Sequence, residues 1–109
     1  MAEEKQEARP VASLIVFLGY ESHVSNVVSA SPDPRALTRA AAASAVKIVR
    51  RFGRPKWALV TVVSLDSGDA DYYYVDVERQ RVTASRRDLI PSAFAFLWAL
   101  LNSHGGGAE

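Results

Sequence analysis

Val11-Ala12-Ser13-Leu14-Ile15-Val16-Phe17-Leu18-Gly19-Tyr20 is the stretch on which the fold turns. It is rich in branched and aromatic residues, which favour a strand. Alternation puts Ile15 and Phe17 on one face and Leu14, Val16 and Leu18 on the other. Both faces are apolar, so the strand needs cover on both sides and belongs near the middle of a sheet. Residues 57–66 (Trp-Ala-Leu-Val-Thr-Val-Val-Ser-Leu-Asp) have the same character. The rest of the chain must therefore cover a two-faced sheet.

Outward from the first strand, Glu21-Ser22-His23 reads as a turn, and residues 24–30 as a shorter, more polar strand near an edge. Ser31-Pro32-Asp33-Pro34 ends the sheet and starts a helix, with Asp33 as cap and Pro34 in the first helical position. That helix runs to about Phe52, and Gly53 is its stop. Leu37, Ala41, Ala45, Ile48 and Phe52 recur at helical spacing as the expected buried stripe. Arg39, Lys47, Arg50 and Arg54 fall on the opposite side.

Beyond the second apolar strand, residues 67–71 read as a hairpin loop. In residues 72–78, Tyr73, Val75 and Val77 alternate with Tyr72, Tyr74, Asp76 and Glu78, the pattern of a half-exposed strand. A turn near 78–81 lacks the usual glycine or asparagine, and residues 81–85 pair back. The last helix is expected over about 89–102, with Pro91 in its first turn. Its body is apolar almost all round, which argues against one side facing water.

The order is β-β-α-β-β-β-α. It predicts a single α+β domain over residues 10–103, with a mainly antiparallel sheet of about five strands and two helices. Residues 1–9 and 104–109 read as flexible tails. One helix on each face would cover the sheet. Alternatively both helices lie on one face and a second subunit covers the other. The order resembles the longin, roadblock and profilin-like small α/β domains, which implies a dimerising or scaffold module. Residues 37–84, a helix and a meander ending in Tyr-Tyr-Val-Asp-Val-Glu, are similar to PepSY-type domains.

Net charge is +1, against the basic excess of a dedicated nucleic-acid coat. There is no cysteine, which excludes disulfides, thiolate metal sites and cysteine nucleophiles. The start, Met1 to Glu7, has neither the basic residues nor the apolar run of a signal peptide. No apolar stretch reaches the roughly 20 residues of a membrane helix. The expected location is the cytoplasm, with no membrane partner.

Catalytic chemistry finds little support. Asp66, Asp69 and Asp71 crowd one loop, but Gly68 and Ala70 stand where a calcium loop needs oxygen ligands. His23 and His104 form no metal-ligand pair, and Ser22 beside His23 points to the opposite face of an extended segment. The expectation is no catalytic residue, no metal and no cofactor. A cation-binding or enzymatic domain is a remote alternative resting on the acidic loop.

Two surfaces stand out. The apolar last helix offers Phe94, Phe96, Trp98 and Leu101, residue types that carry interface energy. With an open sheet edge, it suggests a non-catalytic interaction module: a homodimer, or a small subunit or assembly factor of a larger complex. The second surface is Arg50, Arg51, Arg54 and Lys56, followed at once by Trp57. Charge beside a flat ring suits single-stranded nucleic acid, the runner-up partner.

Overall fold

The computed structural model describes residues 12–31 and 36–106. β1 (Ala12–Gly19) and β2 (Val24–Ser31) form the first hairpin, and α1 (Leu37–Phe52) follows. β3 (Trp57–Ser64), β4 (Ala70–Asp76) and β5 (Arg81–Ala84) form a meander. A single 3-10 turn, Arg87–Leu89, leads into α2 (Ile90–Gly106). The α+β fold and the element order agree with the sequence reading. The capping role of Asp33 and Pro34 lies outside the described residues, and α1 starts without a side-chain cap at Ala36.

The five strands form one antiparallel sheet in the order β2-β1-β3-β4-β5. β1 sits between β2 and β3 and is paired along its whole length on both sides. This is the inner position its two apolar faces require. β2 is an edge, as its serines and asparagine suggest.

Both helices pack on the same face of the sheet. α1 lies over β1 and β2, α2 lies over β4 and β5, and the helices pack against each other. The core is the layer between: Leu14, Val16 and Leu18 from β1, Ala58 and Val60 from β3, and Tyr73 and Val75 from β4. Ala41, Ala45 and Val49 of α1 and Ala93, Phe96, Leu97 and Leu100 of α2 close it from above. The arrangement of one helix per face is therefore not adopted. A four-residue spacing carries Ala41, Ala45 and Val49 onto the sheet with small side chains, so α1 can approach closely.

Ser44 donates its hydroxyl to the Ala40 carbonyl (3.1 Å) and lies 3.1 Å from the Ser29 hydroxyl, which fixes α1 on β2. Phe52 leaves the expected buried stripe because it lies at the end of the helix, past the sheet. Its ring meets His23 edge-on (4.8 Å between centroids), and His23 stacks on Tyr20 (5.0 Å). The Tyr20 hydroxyl donates to the Gly53 carbonyl (2.7 Å), so the β1–β2 turn is tied to the end of α1. The β4–β5 turn, which lacks glycine, is closed by Gln80 in the left-handed region (φ 57°). Asp76 helps, accepting from the Arg79 N–H at 3.0 Å and pairing with its guanidinium at 3.1 Å. The Arg79 N–H, then the guanidinium, hold the Asp76 carboxyl below its usual range.

Tyr73 lies at the centre of the core, edge-on to Phe96 (5.8 Å). Its buried hydroxyl makes no hydrogen bond among the described residues. Loss of water pushes the phenol up to about 12, and the Thr38 side chain opposes the rise without reaching hydrogen-bond geometry. The unfolded phenol ionises near pH 10, below the folded value. The neutral ring therefore contributes stability that is fully present below about pH 10 and lost as pH rises toward 12. Tyr73→Phe is expected to add about 1 kcal/mol at neutral pH by removing an unpaired buried hydroxyl. It should also flatten the alkaline loss. Urea midpoints at about pH 7 and about pH 11 test this. Identical losses in both proteins would show that the phenol is not the source.

Candidate protein-interaction surface

Alternation along each strand gives the sheet a second face, opposite the helices, and no described helix or loop covers it. β1 contributes Ile15 and Phe17, β3 contributes Trp57, Leu59 and Val63, and β4 contributes Tyr72 and Tyr74. From β2 come Val24 and Val28, the latter 63% exposed. The register aligns these side chains in rows across the strands. Phe17 stands between Asn26 and Leu59, and Leu59 stands between Phe17 and Tyr74. Among the described residues of this face, charge appears only at one corner, where Asp76 faces Arg81 across β4 and β5.

Gly19 and Trp57 are directly opposed in this face. The indole lies over the glycine, so a Cβ there would overlap the ring atoms Cε2, Nε1 and Cζ2. The ring then reaches diagonally to Tyr74, with centroids 6.1 Å apart. Gly19 is thus a seat for Trp57, an aromatic ring covering a strand glycine. Gly19→Ala is expected to push the indole off its seat at a cost of about 1–3 kcal/mol. Tryptophan emission and urea midpoint, measured in a Trp98→Phe background, report it. No change in either would remove the seat argument.

The residues expected at the interface divide. Phe96 is fully buried (0% exposed) and belongs to the core, where it faces Tyr73. Leu101 is half-buried against the core. Phe94 (39%) and Trp98 (50%) are exposed, one turn apart on the outer side of α2. Pro91, Ala95 and Asn102 continue that side, so within one copy α2 leaves a largely apolar stripe bare. The helix has room to do so because the sheet and α1 together cover only its inner side.

The basic cluster also divides. Arg50, Arg51 and Arg54 are exposed on and just after α1. Arg51 sits over the Phe52 ring at 5.3 Å, and Arg54 reaches the Leu101 carbonyl at 3.4 Å. Lys56 pairs with Glu78 at 2.9 Å, a bond that raises its pKa. Trp57 lies on the far face of the sheet from α1, so the sheet separates the ring from the arginines. The acidic loop holds Asp71 against the Ser85 hydroxyl (3.0 Å) and Arg86 (3.7 Å). No three potential metal ligands converge among the described residues.

The open sheet face is the one the two-faced strands left for a second subunit with both helices on one side, though its residues were not singled out. Its signal was present in the alternation of the two central strands, each with a second apolar side. No described helix is long and apolar enough to cross a membrane. Compared with protein-family models, curated proteins and solved structures, the chain matches none.

Proposed function

We propose that the chain is a non-catalytic protein-interaction module that works as a homodimer, the open sheet face of one copy packing on that of another. The observation that carries this is the uncovered apolar face itself. Contiguous apolar patches of more than a few hundred Å² are rare on monomers. Strands of eight, eight, eight, seven and four residues, about 4.8 Å apart with a rise of about 3.3 Å per residue, give a flat footprint on the order of 550 Å². That is the scale of the roughly 800 Å² each partner gives to a stable complex. A two-fold contact places a surface against itself, which requires self-complementarity. A face whose only charges among the described residues are an Asp and an Arg opposed at one corner meets that condition.

Phe94 and Trp98 lie in the helix layer, on the other side of the sheet from this face. One flat two-fold contact cannot cover both surfaces. The outer stripe of α2 supports a further role as a small subunit or assembly factor. The experiment is light scattering on purified protein across a wide concentration range, with a nuclease-treated sample read at 260 nm. A dimer mass that persists on dilution supports the proposal. A monomer mass at every concentration overturns it, and nuclease-sensitive mass with 260 nm absorbance would move the function to nucleic acid.

A further inference from the structure

We propose that the outer edge of β2 is a strand-addition site whose occupant is β2 of a second copy, paired antiparallel about a two-fold axis. Among the described residues β2 is bonded within the sheet to β1 alone, in an unbroken register from Val24↔Gly19 to Ser31↔Ala12. In an antiparallel ladder alternate residues direct their N–H and C=O to opposite sides, so half of β2 points its backbone outward. Sheet edges are ordinarily guarded by brevity, charge, proline or a bulge. The other edge, β5, is guarded in two of these ways: it has four residues and begins with Arg81. β2 has eight residues and none of these guards, being Val-Ser-Asn-Val-Val-Ser-Ala-Ser.

The absence of charge selects the occupant. A neutral strand laid antiparallel on itself opposes no like charges, and it offers nothing specific to a charged peptide. Two copies that present the same edge to each other can pair only antiparallel. Directly opposed residues then share a face, so the helices of both copies stay on one side. A hollow between β2 and α1, lined by Val27, Ser29, Ala43, Ser44 and Lys47, lies beside this edge to receive partner side chains. Because β5 is guarded, the resulting sheet closes as a pair and does not grow into a fibre. This contact uses a different surface from the face-to-face one, and neither requires the other.

The chain has no cysteine, so an introduced one reports alone. Asn26→Cys, Val27→Cys and Val28→Cys are made singly, each with and without Leu59→Asp on the open face, and mildly oxidised. Two-fold pairing places one central residue opposite its own copy, with Cβ atoms about 4.5–5.5 Å apart. The expected result is a disulfide-linked dimer that peaks at one position in both backgrounds. Amide protection of residues 24–31 should rise with concentration. If Leu59→Asp leaves the cross-link intact while the face contact proves absent, the edge pairing stands and the face reading falls. Absence of cross-links at all three positions, with alternate β2 amides exchanging fast at every concentration, overturns the edge pairing alone. Concentration-independent protection without cross-links overturns it too, since the same chain would then be covering its own edge.

Discussion

Leu59→Asp is expected to leave the protein folded while weakening the face-to-face contact by at least about 100-fold, so that the dimer that remains is the β2-paired one. Leu59 stands mid-face on β3, flanked by Phe17 and Tyr74. In the proposed dimer its side chain is cut off from water, and a carboxylate there has no cation to meet. Burying an unpaired charge costs several kcal/mol, which exceeds the roughly 2.7 kcal/mol of a hundredfold loss. In the monomer the same carboxylate faces solvent, so the melting temperature should fall only slightly. Light scattering gives the mass and circular dichroism the fold. A variant that remains dimeric without cross-linking through β2 moves the contact to another surface, and Trp98→Glu on the outer side of α2 then becomes the deciding change.

Phe96→Ala is expected to cost about 3–5 kcal/mol, the range for deleting a buried ring. Domains of this size are stable by only about 5–15 kcal/mol, so the variant approaches unfolding at growth temperatures. Its melting temperature should drop by roughly 15–30 °C. The cause is local: Phe96 is fully buried, edge-on to Tyr73, beneath the point where α2 crosses β4. Trp98→Ala, two residues on, removes a larger ring that is half in water and should cost far less. Comparable losses in the two variants would contradict this division of α2 into a buried and an open side.

The division also explains what could be read before the fold was known. Strand positions followed from branched residues and alternation, because those properties are local. Phe96 and Trp98 were indistinguishable because α2 has no charged residue to mark its outer side. Which side is buried is decided by α1 and β4, far away in the chain. Phe52 fitted the helical period but fell beyond the sheet, and period alone carries no information about where a sheet ends. Similarly, Arg54, Lys56 and Trp57 are sequence neighbours, yet the start of β3 sends the indole to the opposite face from α1. The helix arrangement was one of two that the two-faced strands allowed, and the choice between them lies in contacts between α1, α2 and the sheet that are distant in the chain.

The place of β1 between β2 and β3 has a consequence for how the protein is made. A ribosome releases β1 and β2 first, and these can pair at once. The other edge of β1 must wait until α1 has been synthesised and β3 follows it. Through that interval the most apolar strand of the chain has one unsatisfied edge and little cover on either face, in a cell crowded with other nascent chains. α2, which follows all five strands in the chain, is the one that seals Tyr73. Synthesis speed across α1, and any factor that shields nascent strands, therefore bear on the yield of native protein alongside the stability of the finished fold.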